Sequence, residues 1–154
     1  MEPALSQKPV GFLTTVESPT HGLFGGYLLV DSIGRPLEFS CTAPVRLSRA
    51  QQVLYGPTLH GYLHADRIGG TLLAEATIKP RIVLVDQEEL SQLHVHTALP
   101  VALVRSGEPV EPQADDPVRR QELSERLDAL LPNIDLAEPF ERIRAAIDEA
   151  QRHG

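Results

Sequence analysis

The sequence predicts an α/β fold with a mixed sheet, from the order and character of its segments. Three short segments rich in β-branched and aromatic residues come first, and two helical segments follow. Two continuously apolar segments come next, at residues 81–86 and 99–105, separated by a short helical one. Short connections predict a three-strand antiparallel meander, whereas strands reached through helices are typical of crossovers. We therefore expect one mixed sheet with both kinds of strand, and a C-terminal helical hairpin.

The meander strands are predicted at residues 10–17, 25–31 and 37–43. The third one, LEFSCTA, alternates between apolar and polar residues, and its apolar set includes Leu37, Phe39 and Cys41. Because Cys41 shares the parity of the apolar residues, we expect an inert core thiol rather than a nucleophile. The stretch GLFGGYLLVD lacks the Gly-Lys-Ser/Thr that completes a phosphate-binding loop, so its glycines are interpreted as turn residues.

Helix signals follow the meander. Ser48 and Gln51 form a capping box that predicts a short helix, and Thr58 caps a longer helix that is predicted to reach about residue 78. Two arginines near the first helix, Arg46 and Arg49, could hold an anion at its N-terminus. Since Ser48 already satisfies one of the free N–H groups there, structural capping is the favoured interpretation.

Composition also predicts where the domain ends. Residues 1–106 carry the α/β pattern, residues 107–116 form a Pro-rich acidic linker, and residues 117–154 carry the helical hairpin. The last helix has a narrow apolar seam of Leu136, Phe140, Ile143 and Ile147. Such a seam must pack on something, so it either covers its own domain or docks on another protein or a second copy of the chain.

Charge and cysteine content restrict the classes of function. The net charge is −7, and residues 107–154 hold twelve Asp or Glu against six Arg. This balance disfavours general binding to nucleic acids or to membranes, since both need an excess of cations. A single cysteine and an N-terminus without a secretory signal predict a cytoplasmic protein. We expect no cofactor, and the excess of Arg over Lys, twelve to two, favours a bacterial source.

Two histidine pairs are the first candidates for chemistry. In TLHGYLHAD, His60 and His64 stand four apart, a spacing that suits a zinc ligand pair on a helix. At about 100° per residue, however, both fall on the polar side of the predicted helix, opposite its apolar side. We therefore interpret them as a solvated face. His94 and His96 would share a face of an extended segment, and the two pairs together could form a four-nitrogen metal site.

Three acids are the second group of candidates: Glu17, Glu38 and Asp86. Convergent carboxylates could hold two divalent cations for phosphodiester hydrolysis. The order of elements over residues 10–105 resembles that of ribonuclease H-like nucleases, which open with a three-strand meander. That family carries an Asp within its first strand, where this chain has only Glu17 at the end. Asp86 has a structural alternative, because with Glu89 it would form a capping box.

A further resemblance covers residues 26–59, in GYLLVDSIGRPLEFSCTAPV and RAQQVLYGPTL. Over these residues the chain is similar to a group of uncharacterised bacterial proteins with no assigned activity. The resemblance implies no catalytic role for any residue, but it draws attention to the polar residues of this region, Glu38, Arg49 and Tyr55.

The function predicted from these patterns is a non-enzymatic intracellular interaction module that docks or dimerises through its C-terminal helices. Its expected partner is another protein or a second copy, with no general nucleic-acid binding and no membrane. The alternative prediction is a metal-dependent hydrolase or nuclease with a ribonuclease H-like order of elements. An Asp inside the first strand would favour the alternative.

Overall fold

The computed structural model describes residues 9–153, which form one mixed sheet with helices on both faces. Its strands are β1 (Val10–Ser18), β2 (Gly22–Val30), β3 (Pro36–Cys41), β4 (Ile82–Val85), β5 (Val101–Leu103) and β6 (Glu111–Gln113). The six strands lie in the order β3-β2-β1-β4-β5-β6.

Strand directions confirm the predicted fold class. β1 pairs antiparallel with β2, and β2 pairs antiparallel with β3, which makes the meander. β4 is parallel to β1, and β5 is parallel to β4, so both are reached by crossovers that contain helices. β6 pairs antiparallel with β5 at the edge of the sheet. This strand lies inside the segment 107–116, so part of the predicted linker is paired into the sheet.

Helices fill the connections and the C-terminus. The helices are α1 (Arg49–Tyr55), α2 (residues 59–75), a 3₁₀ helix (Glu88–His96), α3 (Pro117–Leu130) and α4 (Glu138–His153). α1 begins at the predicted capping box, in which the Gln51 N–H donates to Ser48 Oγ over 3.1 Å. The middle of α2, Tyr62–Gly70, is wound as a π-helix. In the described part of the chain, no helix is long and apolar enough to cross a membrane.

The sheet separates two hydrophobic cores. The face covered by α2 and the 3₁₀ helix buries Leu13, Tyr27, Ile68, Leu72, Val83 and Leu93. The face covered by α4 buries Phe12, Leu28, Leu84, Phe140, Ile143 and Ile147. The two sets alternate along β1 and β4, as they must when successive residues of a strand point to opposite faces. Both faces of the central strands are therefore buried, which explains why those strands are continuously apolar.

Two adjacent glycines in β2 let helices approach both faces of the sheet. A Cβ atom on Gly25 would overlap the Cγ2 atom of Ile68 in α2, and a Cβ atom on Gly26 would overlap the Cγ2 atom of Ile143 in α4. The interpretation of these glycines as turn residues is wrong, because they lie in the middle of a buried strand. They are needed for close packing between helix and strand.

The apolar seam of the last helix packs on its own sheet. Phe140, Ile143 and Ile147 are at most 2% exposed, and Leu136 packs against the same core. Phe140 meets the ring of Phe12 edge-on, with 5.2 Å between ring centroids. Burying each such side chain stabilises the fold by roughly 1.5–3 kcal/mol. These four residues are therefore core residues and do not form the predicted interface with a partner.

The prediction of a core thiol is also wrong, because Cys41 is exposed. β3 alternates as predicted, but it is an edge strand, and its side chains on the α4 face stay exposed. Leu37 and Phe39 are consequently exposed to 48% and 42%. Alternation thus identified the two sides of the strand correctly, while coverage by a helix decided which side is buried.

Candidate functional site

His64 lies in the π-helical part of α2 and is turned toward the protein. The buried residues of this segment are His64, Ala65, Ile68 and Gly69, and Leu72 continues the same buried row. Residues four apart lie on one side of a helix, so His64 stands in line with Ile68 and Leu72. His64 is only 7% exposed, so its interpretation as part of a solvated face is wrong. His60, one turn earlier, is exposed as expected.

One hydrogen bond fixes the tautomer of His64. Its Nδ1 lies 2.9 Å from the backbone carbonyl oxygen of His60. A carbonyl only accepts, so Nδ1 carries the hydrogen and the neutral ring keeps a lone pair on Nε2. No described residue forms a hydrogen bond with Nε2 of His64. The ring of His60 lies beside the His64 ring, with 5.9 Å between the two ring centroids.

Burial keeps this imidazole neutral. Desolvation lowers the pKa of His64 below its ordinary value, and the neighbouring His60 acts in the same direction. The hydrogen bond to the His60 carbonyl and the charges of Glu89 and Glu17 oppose the shift without reversing it. The two acids come from different elements, since Glu89 belongs to the 3₁₀ helix and Glu17 ends β1. A neutral histidine with one free nitrogen has the properties of a general base.

A groove of about 340 Å³ lies at the carboxyl end of β1. Its lining residues are Glu17, Gly22, Leu23, Val45, Arg46, Leu47, Gln52, Leu59 and Leu63. Glu17 lines this groove and its charge also acts on His64, which follows the lining residue Leu63 in the chain. The crevice outside the carboxyl ends of parallel strands is where open α/β sheets generally bind ligands.

Arg46 supplies a cation to this groove. Its Nε donates to the backbone carbonyl of His21 over 2.9 Å, which holds the side chain against the β1–β2 turn. Gly22 makes room for it, because a Cβ atom there would lie 2.8 Å from Arg46 Cγ, and its φ of +108° suits glycine alone. The position of the guanidinium is thus fixed by the turn, and its terminal nitrogens can bind an anion.

The three candidate acids are held apart. Asp86 accepts from Thr14 Oγ1 over 2.7 Å and is paired with Arg144 of α4. Glu38 accepts from the backbone N–H groups of Thr77 and Ile78, over 3.0 and 3.2 Å. Glu17 lies on the α2 face of the sheet, opposite the α4 face that carries Asp86 and Arg144. The three carboxylates therefore do not converge, and Asp86 and Glu38 have structural partners.

A two-metal centre, which the ribonuclease H-like order implies, does not fit these residues. The first-strand neighbour of Asp86 is Thr14, a residue that brings no second carboxylate, and Arg144 supplies the positive charge there. No group of three or more His, Cys, Asp or Glu in residues 9–153 could hold a metal ion. We therefore assign no residue of this site as a metal ligand.

The second histidine pair does not join the first. His94 is bound to the Ser91 carbonyl and, over 3.1 Å, to Asp115. His96 faces Asp66 at 3.9 Å. Both pairs belong to elements that touch, but their rings have different partners, so the four-nitrogen site is not formed within the described residues.

The polar residues of the segment 26–59 are also dispersed. Tyr55 stacks on Tyr62 near the start of α2, with 4.1 Å between ring centroids and 11° between planes. Glu38 is bound beyond the other end of that helix, at residues 77–78. Arg49 is an exposed residue at the start of α1.

The sequence did not indicate that Gln52 lines the groove or that the charge of Glu89 acts on His64. No local sequence pattern brings either residue to this site.

No protein-family model and no curated protein matches the sequence. Among solved structures, the chain is similar to human endonuclease V, with a TM-score of 0.43, 15% identity, and coverage of 80% of this chain and 57% of that one. It is also similar to Ciona intestinalis endonuclease V in complex with a 24-mer DNA containing an inosine followed by a ribo-adenosine, with a TM-score of 0.44, 14% identity, and coverage of 82% and 56%. The chain thus spans little more than half the length of these proteins.

The structural neighbours are nucleases, two of them with DNA bound, and so differ from the predicted non-enzymatic interaction module and from the predicted absence of nucleic-acid binding. The burial of the C-terminal seam removes the docking surface on which the first of these depended. At this level of similarity the likeness is one of fold outline, and it assigns no chemistry to this chain.

Proposed function

We propose that this chain is a nucleic-acid phosphodiesterase that works without a metal, through His64 and His60. The observation that carries the proposal is the buried His64 imidazole, whose Nδ1 is committed to the His60 carbonyl and whose Nε2 is free. The site lies at the carboxyl end of the central strand β1, next to a groove that contains Arg46.

Each residue has a role that its surroundings support. His64, neutral and partly shielded from water, accepts a proton from the attacking group. His60, exposed and beside it, delivers a proton to the leaving oxygen. Arg46 attracts the phosphate, and its charge is compatible with the developing negative charge of the transition state.

Local charge supports a nucleic acid as the substrate although the whole chain is acidic. Residues 35–81, which include α1 and α2, contain six Lys or Arg against three acids. The acidic excess lies in 107–154, whose helices begin beyond β6 and pack toward the α4 face. The stacked Tyr55 and Tyr62 rings add aromatic surface to the basic segment, a combination found where proteins bind single-stranded nucleic acids.

The test compares purified wild-type protein with His64→Gln and with the matched control His96→Gln, on mixed-sequence RNA and DNA oligonucleotides in EDTA. We expect the wild type to cleave at least one of them, His64→Gln to lose about 100-fold of the rate, and His96→Gln to keep it. His96 is exposed and has no assigned role in the reaction. Absence of cleavage by the wild type, or equal rates for both variants, would overturn the proposal.

We also propose a cytoplasmic location and membership of the bacterial group that residues 26–59 resemble. The location is supported by the single cysteine, which excludes an internal disulfide. Fractionation of cells that express the full-length protein, with detection by antibody, tests the location.

A further inference from the structure

We propose that the substrate is RNA and that the attacking group is the ribose 2′-hydroxyl next to the scissile phosphate. This inference rests on the proposed function and specifies its substrate. Two features of the site lead to it. The acids that could bind a metal are already engaged, and the two imidazoles form a pair of proton-transfer groups.

The engaged acids bear on the choice of nucleophile. Without a metal ion to generate hydroxide, a histidine base is most effective on a hydroxyl that is already held beside the phosphorus atom. In RNA the 2′-hydroxyl of the preceding ribose is such a group, and DNA lacks it. Of the three candidate acids, Asp86 is paired with Arg144 and Glu38 is bound by the backbone of residues 77–78, which leaves Glu17.

The two rings are close enough to serve one phosphodiester. Their centroids are 5.9 Å apart and their planes are inclined by 48°, so each imidazole can reach a different oxygen of a phosphodiester bound beside the pair. His64 must act as the base, because its Nε2 carries the lone pair. His60 must then act as the acid. Arg46 in the adjoining groove can contact a non-bridging oxygen or the next phosphate.

The reaction balances without any co-reactant. The 2′-oxygen forms a bond to phosphorus as its proton passes to His64 Nε2. The bond from phosphorus to the 5′-oxygen breaks, and His60 gives that oxygen a proton. The products are a 2′,3′-cyclic phosphate and a free 5′-hydroxyl. The two histidines then regain their original protonation states by exchange with solvent.

The experiment uses the full-length protein in EDTA with three oligonucleotides of one sequence: RNA, its DNA counterpart and its 2′-O-methyl counterpart. We expect cleavage of the RNA alone, with 5′ fragments that mass spectrometry identifies as cyclic phosphates, one water lighter than linear 3′-phosphates. Cleavage of DNA or of 2′-O-methyl RNA overturns this inference and leaves the proposed function standing. Absence of cleavage of every oligonucleotide overturns both.

A substrate with a modified leaving group distinguishes the role of His60 from that of His64, even if a variant is less stably folded. An RNA whose scissile 5′-oxygen is replaced by sulfur needs no general acid, because a thiolate leaves unprotonated. We expect this substrate to restore His60→Gln to within about 10-fold of the wild type and to leave His64→Gln impaired by about 100-fold. Equal restoration of both variants, or of neither, would contradict the assignment of base and acid.

Discussion

His64 donates its Nδ1–H to the backbone carbonyl of His60 over 2.9 Å, and this bond determines which nitrogen of the buried ring remains free. Both residues belong to α2, where a π-helical turn begins just after His60. The His64 ring is buried, whereas the His60 ring is exposed and lies beside it. One turn of α2 therefore carries both the proposed base and the proposed acid.

Stability should depend on the protonation of His64. Its pKa is lowered in the folded protein, chiefly by burial, so the unfolded chain binds this proton more readily. Its stabilising contribution is thus present above the unfolded pKa of about 6.5 and is lost as the pH falls through the folded pKa. The charged groups that face it are Glu17 from β1, Glu89 from the 3₁₀ helix and His60 from α2.

We expect the free energy of unfolding in urea to fall between about pH 7.5 and about pH 5 in the wild type, and to fall less in His64→Gln. His21→Gln serves as the control and should follow the wild type. Parallel curves for the wild type and His64→Gln would show that His64 is not protonated more readily on unfolding.

Close packing at β2 should make its glycines intolerant of a methyl group. Gly25→Ala meets Ile68 and Gly26→Ala meets Ile143, so each should lower the free energy of unfolding by about 1–3 kcal/mol. Gly61→Ala is the matched control, because it is helical with no atom within 4 Å of the added Cβ. It should raise stability by about 0.5–1 kcal/mol. Equal effects of all three substitutions in chemical denaturation would contradict the close approach.

Divalent metals should leave the wild-type protein unaffected. Asp86 is paired with Arg144 and with Thr14, so we expect the same unfolding temperature in EDTA and with Mn²⁺ added. In Thr14→Asp/Arg144→Ala, two carboxylates meet without the competing cation, and Mn²⁺ should then raise the unfolding temperature by mass action. A rise in the wild type, measured by calorimetry, would contradict our description of this site.

Cys41 should react in the native state. It is exposed on the edge strand β3, so iodoacetamide should alkylate it at a rate within about 10-fold of the urea-unfolded chain. The modified residue can be confirmed by peptide mass spectrometry. Strong protection in the native protein would mean that this face of β3 is covered in solution.

The sheet could be predicted because its determinants are local. Apolar runs, alternation and the capping box at Ser48 and Gln51 each depend on residues near in sequence, and they led to the correct fold class and the correct start of α1. Coverage of each face depends on distant elements. This is why Cys41 was expected in the core and why the pairing of Asp86 with Arg144, 58 residues apart, was not anticipated.

The candidate site was harder to predict for two physical reasons. His64 lies at the border between the polar and apolar sides of the helical wheel, so its burial depends on packing by distant elements. Glu17, Glu89 and Arg46 come from separate parts of the chain, and only the folded protein brings Glu17 and Glu89 near His64 and Arg46 into the groove with Glu17. The sequence did identify His60 and His64 as candidates, but the spacing alone suggested zinc.

The most direct test of the account is long-range ¹H–¹⁵N NMR of the histidine side chains, with and without an uncleavable 2′-O-methyl oligonucleotide. We predict that His64 is the neutral tautomer with hydrogen on Nδ1, and that adding the oligonucleotide shifts the resonances of its Nε2 and of the His60 ring. The central claim would be contradicted if His64 carried its hydrogen on Nε2. It would also be contradicted if the resonances of both histidines stayed unchanged at saturating 2′-O-methyl oligonucleotide.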